Sequence, residues 1–205
     1  MNNRPQLSVV IPVFNMGTFL PELVSSLKKS GVLDLASEIL MVDDGSTDDT
    51  VAQVNLLKTQ EPRVCLLSLG SNQGRYVARL KGAEAAKSNH ILFIDSRVVL
   101  APDFAEKIIA NWPFADFIQP QAHIDTSRNL FCLYWDRSHR AIFRRHYKAM
   151  EKGAVEVTNE NYDQYLKGTT AVIMPKKLFL DACHSVGQAD VLSDDTAVMR
   201  HMVRH

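Results

Sequence analysis

Two adjacent carboxylates, Asp43 and Asp44, are the first residues in this sequence whose types and spacing could do chemistry. They follow the apolar run 38–42, which predicts a buried strand, and they precede a turn at Gly45. In an open parallel sheet, ligands bind outside the carboxyl ends of the strands. Carboxylates at that position can accept hydrogen bonds from a base or a ribose, or they can hold a cation.

The same pattern has other interpretations. A strand that ends in two aspartates also suits an aspartate phosphoacceptor or a Mg²⁺ site, although the lysine and the Ser or Thr that a phosphoacceptor domain needs cannot be placed here. Ser46, Thr47 or Asp48 could simply cap the next helix, which we expect to begin near Thr50. Helix capping accounts less well for two carboxylates before the glycine.

Composition limits the classes of partner. The chain has 205 residues, of which 46% are hydrophobic, and its formal net charge is zero, so no broad basic surface for nucleic acid is expected. Cys65, Cys132 and Cys183 are too far apart in sequence for a metal-type pair, and their odd number argues against a disulfide framework. With no secretory signal and no apolar run near the roughly 20 residues that span a bilayer, we expect a cytoplasmic protein.

The elements that must position the carboxylates alternate regularly. Strands are predicted at 7–13, 38–42, 63–67, 91–94 and 114–119, and helices at 19–29, 50–58, 75–87 and 101–111. Short connections between alternating strands and helices are typical of a parallel sheet joined by right-handed crossovers. The predicted fold class is therefore α/β, with a Rossmann-like, mostly parallel sheet, helices on both faces and a single domain over residues 1–205.

The second half of the sequence is less regular. Residues 130–150 could form one helix with a basic face, and residues 168–174 a short strand followed by a helix to Cys183. The basic face is either a solvated surface or a contact for phosphate, an acidic acceptor or an anionic membrane. The cations Arg200, His201, Arg204 and His205 could bind phosphate, but we favour a helix end, where cations complement the dipole.

Five segments coincide in order and spacing: LSVVIPVFN, VDDGSTDDT, SNQGRYVARLKGAEAA, ILFIDSR and SDDTAVMR. Together they resemble the family 2 inverting glycosyltransferases, which have the GT-A fold, and the resemblance is strongest over 7–109. It implies a nucleotide-sugar donor, often UDP-linked, and a glycan or lipid-linked acceptor, as in polysaccharide or glycoconjugate synthesis. It also implies a nucleotide-binding half at about 1–111 and an acceptor-side half at about 112–205.

The resemblance further implies roles for individual residues. Asp195, with its neighbour Asp194, matches the catalytic base, and Asp44 matches the carboxylate that bonds the base of the nucleotide. The full set implied for donor binding is Pro12, Val13, Phe14, Asp43, Asp44, Asn72, Gly74, Arg75, Asp95, Ser96 and Arg97. Arg79, near the same helix start, could clamp phosphate or could be a surface residue. Helix capping remains an alternative for Asp194 and Asp195.

The sequence departs from the family at Arg97. The family signature has a metal-ligating aspartate there, and a guanidinium cannot ligate a cation. Arg97 could offset the diphosphate charge itself, Asp95 could hold the metal with the donor phosphates and water, or the protein could keep only a binding or assembly role. We favour a retained transferase, because Asp44 and the late aspartate pair persist. A divalent metal, Mn²⁺ or Mg²⁺, is the cofactor in only one of these alternatives, in which Asp95 is its ligand.

Overall fold

The computed structural model describes residues 4–113, 117–120, 123, 125–127, 130–151, 153, 155–164, 170–186 and 196–204. The sheet in this part of the chain comprises β1 (Leu7–Val13), β2 (Ala36–Asp43), β3 (Val64–Ser68), β4 (His90–Ile94) and β5 (Ala171–Pro175). Their order is β3-β2-β1-β4-β5. The first four strands are parallel, and β5 pairs antiparallel with β4. The predicted mostly parallel α/β sheet is confirmed.

The burial of the central strand, β1, accounts for its mostly apolar sequence. All seven residues of β1 are buried, because helices cover both faces of the sheet, and six of the seven are apolar. The exception, Ser8, donates a hydrogen bond to Glu38 Oε1 at 2.7 Å. Val13, Asp43 and Ser68 are register partners, so β1, β2 and β3 end at the same edge. This shared carboxyl edge brings the loops that follow these strands together.

Eight α-helices surround the sheet in the described residues. They are α1 (Leu20–Lys29), α2 (Thr50–Gln60), α3 (Arg75–Ala85), α4 (Phe104–Ala110), α5 (Leu130–Ile142), α6 (Arg144–Met150), α7 (Lys176–Val186) and α8 (Thr196–Arg204). Helices α1, α2 and α4 share one core with Val9 and Ile11 of β1, whereas α3, α7 and α8 share the other with Val10. Alternate residues of one strand therefore organise two cores. None of the helices in the described ranges is long and apolar enough to cross a membrane.

Helix α3 lies unusually close to the sheet at Gly82. A Cβ atom at this position would lie 2.4 Å from Cγ1 of Val10 and 3.0 Å from Cγ2 of Val42. The missing side chain lets the helix backbone pack closely against β1 and β2.

Several predicted boundaries were wrong. The helix predicted over 130–150 is two helices, because the backbone of Phe143 (φ −102°, ψ 35°) leaves the helical region between α5 and α6. A short 3-10 turn, Gly17–Phe19, precedes α1, which therefore begins at Leu20, one residue later than predicted. Within the described part of 114–119, Ile118 forms an isolated bridge with Ile173 and belongs to no named strand.

Candidate active site

Asp43 braces the turn at the end of β2. Its Oδ1 accepts a hydrogen bond from the backbone N–H of Ser46 at 3.0 Å, and its Oδ2 accepts one from the Ser68 hydroxyl at 3.1 Å. The carboxyl group is buried. Both oxygens therefore accept hydrogen bonds at the ends of β2 and β3. Asp43 is not among the residues that line the cleft described below.

Asp44 is bonded to the loop that precedes α3. Its Oδ1 accepts from the Gln73 N–H at 2.7 Å and its Oδ2 from the Gly74 N–H at 2.9 Å. The position is electrostatically favourable, because the first N–H groups of a helix are unsatisfied and carry partial positive charge. Each carboxylate oxygen has two lone pairs, so Asp44 keeps acceptor capacity for a ligand.

The loop after β1 is tied to the turn after β2 by reciprocal hydrogen bonds. The Asn15 N–H donates to Ser46 Oγ at 3.0 Å, and the Thr47 N–H donates to Asn15 Oδ1 at 2.8 Å. Ser46 and Thr47 therefore join two loops, and the interpretation of these residues as helix caps was wrong. Asp48 does accept from the Thr50 N–H at 2.9 Å, and its bond from the Thr50 hydroxyl lowers the pKa of the Asp48 carboxyl.

Gly45 allows a second close approach. Its φ is +76°, and a Cβ atom there would lie 2.6–2.7 Å from backbone atoms of Ser71 and Asn72. The turn after β2 thus touches the loop after β3 backbone to backbone, and this contact places Asn72 beside the carboxyl edge.

Asp95 follows β4 and meets two arginines from α3. Its Oδ1 lies 2.5 Å from Arg79 Nη2, and its Oδ2 lies 3.5 Å from Arg75 Nη1. Its backbone N–H donates to the carbonyl of Thr170 at 2.9 Å, which fixes the residue beside β5. Arg79 is 0% exposed, so the interpretation of Arg79 as a surface residue was wrong. A buried guanidinium requires such an anionic partner.

Arg97 lies against the loop after β1. Its Nε donates to Met16 Sδ at 3.5 Å, and its Cζ is 5.7 Å from the centre of the Phe19 ring. Among the residues that the structure describes, Arg97 is in no ion pair with a carboxylate. The wall of the site therefore carries a guanidinium that packs against polarizable groups and has no carboxylate within ion-pair distance in the described part of the chain.

These loops enclose an open cleft of about 1290 Å³ at the carboxyl edge of the sheet. Ten of the residues predicted for donor binding line it: Pro12, Val13, Phe14, Asp44, Asn72, Gly74, Arg75, Asp95, Ser96 and Arg97. Asp194 and Asp195 lie outside the described residues. The cleft thus gathers side chains from Pro12 to Arg97, 85 residues apart in sequence, and it combines an apolar wall with carboxylates and arginines.

Some lining residues had no signal in the sequence. Met16, Glu22, His123, Asp125 and Cys132 also line the cleft. The last three follow an irregular segment without periodicity, so nothing in the sequence related them to the sheet edge. Arg79 had a signal that was available: it shares a helix with the small residues Ala78, Gly82 and Ala83, which face the sheet.

The described residues do not make a ready metal site. No group of three or more His, Cys, Asp or Glu side chains among them could hold a metal ion. Asp95, the residue that the resemblance offered as a ligand, has both oxygens directed at arginines. The residues present therefore fit an anionic ligand better than a cation.

Comparison with solved structures defines the class of fold. A mannosyltransferase from Pyrobaculum calidifontis, solved with GDP-Man and Mn²⁺, aligns with a TM-score of 0.67 and 18% identity over 95% of this chain and 51% of its own. TarS from S. aureus, residues 1–349, solved with UDP, aligns with a TM-score of 0.62 and 19% identity over 96% of this chain and 55% of its own. The fold is that of the GT-A glycosyltransferases.

Sequence comparison gives the family. The model of glycosyl transferase family 2 matches residues 8–188, and the chain belongs to that family. An uncharacterized glycosyltransferase of Haemophilus influenzae is 33% identical over 105 residues, which are 51% of this chain and 41% of the relative. The hyaluronan synthase of Pasteurella multocida is 34% identical over 106 residues, or 52% of this chain and 11% of the synthase. The chain therefore matches less than half the length of these relatives.

Proposed function

We propose that this protein is an inverting, hexosyltransferase-like glycosyltransferase that moves a sugar from a nucleotide-sugar donor, with a UDP-sugar favoured, to an acceptor hydroxyl. The observation that carries the proposal is the cleft at the carboxyl edge, because it collects an acceptor for a base, the arginines Arg75 and Arg97 and an apolar wall. This lining suits a ligand that has both an aromatic base and phosphates.

Each part of the donor has a proposed partner. Asp44 accepts a hydrogen bond from the base, as an ionised carboxylate does from uracil N3–H, while Pro12, Val13 and Phe14 provide the apolar surface for the ring. The diphosphate develops charge as the bond to the sugar breaks, and fixed cations nearby stabilise it. Support comes from the UDP complex of TarS and the GDP-Man complex of the mannosyltransferase, which share this fold.

The proposed base is Asp195, with Asp194 beside it. Asp195 comes directly before α8, whose residues Val198 and Met199 pack in the core shared with α3. A carboxylate there would remove the proton from the acceptor hydroxyl as that oxygen attacks the anomeric carbon, and one displacement inverts the carbon. The test is sugar transfer by the Asp195→Asn variant. Loss of transfer with retained nucleotide binding supports the role, and normal transfer removes Asp195 from the mechanism.

The acceptor is proposed to be a glycan or a lipid-linked glycan, used at the cytoplasmic face of a membrane. The surface of α5 and α6 motivates the location. Leu130 is 83% exposed and Ile142 74% exposed, and both lie on the segment that carries Arg137, Arg144 and Arg145. Exposed apolar side chains beside cations suit an anionic membrane surface. We propose peripheral contact there.

A second candidate function is a nucleotide-sugar-binding or assembly subunit without catalysis. The observation that favours it is Arg97, because the family places a metal-ligating carboxylate at that position. It predicts that calorimetry detects donor binding while no condition gives transfer or hydrolysis. Turnover that depends on Asp195 excludes it.

A further inference from the structure

We infer that this protein binds the diphosphate of its nucleotide donor without a divalent cation, through the guanidinium groups of Arg97 and Arg75. The inference rests on the proposed function, which supplies the nucleotide. It assigns to these two arginines the charge compensation that a metal ion performs elsewhere in the family.

The carboxylate of Asp95 already faces two arginines, which disfavours a cation beside it. Its Oδ1 is 2.5 Å from Arg79 Nη2 and its Oδ2 is 3.5 Å from Arg75 Nη1. Arg79 is 0% exposed, so its charge depends on an anionic partner inside the protein. A cation on Asp95 would compete for that partner and would stand beside two guanidiniums of like charge.

Arg97 follows Asp95 by two residues in the sequence. Arg97 cannot ligate a metal, but it lines the same cleft as Asp95 and Arg75. Its guanidinium is held by Met16 Sδ and faces the Phe19 ring, so its position does not depend on a carboxylate. With Nε bonded to Met16, the two terminal NH₂ groups of Arg97 remain as donors for phosphate oxygens.

The local charge of Asp95 and the three arginines is positive. Arg75, Arg79 and Arg97 contribute three positive charges and Asp95 one negative charge, so the formal sum of these four side chains is +2. Three further carboxylates line the cleft, Glu22, Asp44 and Asp125. Of these, Asp44 is bonded to the N–H groups of Gln73 and Gly74, at the end of the cleft assigned to the base.

The experiment is calorimetric titration of the full chain with UDP and with GDP, in EDTA and then in Mn²⁺ or Mg²⁺. We expect the tighter of the two nucleotides to bind with a Kd that changes by less than about threefold between EDTA and metal. Arg97→Ala should weaken this binding by about tenfold or more in EDTA, whereas Arg97→Lys should retain part of it. Arg97 is exposed, so its variants should fold, and a melting curve for each verifies this.

Two further variants sharpen the test. Arg4→Ala removes an exposed arginine before β1, at the opposite edge of the sheet, and should leave binding unchanged. Arg97→Asp reverses the charge beside the diphosphate, and its binding in EDTA should fall further than that of Arg97→Ala. Binding by the wild type that requires metal and survives Arg97→Ala overturns this inference alone, because the nucleotide site itself would stand. No binding of either nucleotide, with or without metal, overturns the proposed function as well.

Discussion

Asp43 and Asp44 are adjacent and chemically identical, yet they accept hydrogen bonds from different parts of the chain. Asp43 accepts from Ser46 and Ser68 within the turn, while Asp44 accepts from Gln73 and Gly74 and lines the cleft. The difference arises because adjacent residues at a strand end point to opposite sides. One carboxylate therefore stabilises the edge, and we assign the other to the base of the nucleotide.

This division predicts different losses for two matched substitutions. Asp44→Asn should weaken nucleotide binding about 10- to 100-fold, because a charge-assisted hydrogen bond contributes about 1.5–3 kcal/mol. Asp43→Asn should leave affinity within about threefold, although it should lower the free energy of unfolding by about 1–3 kcal/mol. Calorimetry and chemical denaturation of both variants measure the two effects. Equal losses of affinity in both would contradict the assignment.

At the same scale, the positions of candidate site residues were more predictable from sequence than their side-chain partners. The position of Asp95 at the end of β4 followed from the apolar run before it, but its two arginine partners did not. Arg79 reaches Asp95 from a helix that lies close to the sheet at Gly82, and a distance between elements is not encoded in the periodicity of either one. The position of Asp44 at the carboxyl edge was predictable, because the ends of buried strands are readable from sequence.

At the scale of elements, α3 packs closely against β1 and β2 at Gly82. Gly82→Ala should lower the melting temperature by several degrees. Overpacking against Val10 and Val42 costs about 1–3 kcal/mol, while the gain in helix propensity is about 1 kcal/mol, and each net kcal/mol shifts the Tm by about 2–4 °C in a chain of this size.

The matched control for this substitution is a double-mutant cycle. Val10→Ala alone removes buried methyl groups and should destabilise the protein, but it should also make room for the new Cβ atom. The two changes together should therefore cost less than the sum of their separate effects. Additive effects, or a stabilising Gly82→Ala, would show that the helix does not rest on the sheet at this point.

The α5–α6 surface gives a second prediction at this scale. The full chain should sediment with vesicles of phosphatidylcholine and phosphatidylglycerol and less with phosphatidylcholine alone. Changing Arg137, Arg144 and Arg145 to Ala should weaken this binding by about two orders of magnitude, because each basic residue near an anionic surface contributes about 1 kcal/mol.

The control removes equal charge elsewhere. Lys87, Lys107 and Lys177 have side chains that are 80%, 72% and 87% exposed and lie outside this surface, so their triple change to Ala should leave vesicle binding nearly unchanged. Equal loss in the two triple variants would mean that net charge alone draws the protein to the vesicles. Binding to neither kind of vesicle by the wild type would exclude the membrane role.

The existence of strongly periodic elements was predictable from sequence. The direction of strand pairing and the breaks between neighbouring helices were not. The apolar runs gave the first four strands, since a strand buried on both faces has a continuous apolar sequence. The run at 171–175 contains nothing that specifies an antiparallel partner, and only pairing with β4 decides it. The break at Phe143 likewise depends on backbone angles that the basic, amphipathic pattern on both sides conceals.

At the scale of the whole molecule, the parallel strand topology brings the loops that form the cleft to one edge of the sheet. Three strands that end in register bring their following loops to one edge, and hydrogen bonds between Asn15, Ser46 and Thr47 lock two of those loops together. Residues from Pro12 to Ala171 thereby share one cavity. The family follows from the matched sequence, but it is this cavity that supports the assignment of a nucleotide-sugar site.

The most direct test of that assignment is a thermal-shift titration of the full chain with UDP- and GDP-linked sugars, compared with the free sugars. A ligand that binds only the folded state stabilises it by about 2.7 kcal/mol at 100 times its Kd, which corresponds to a rise of about 5–10 °C. We predict such a rise for at least one nucleotide sugar, none for free sugars, and a strongly reduced rise in Asp44→Asn. Melting temperatures that no nucleotide sugar changes, at any concentration up to the millimolar range, would contradict the account.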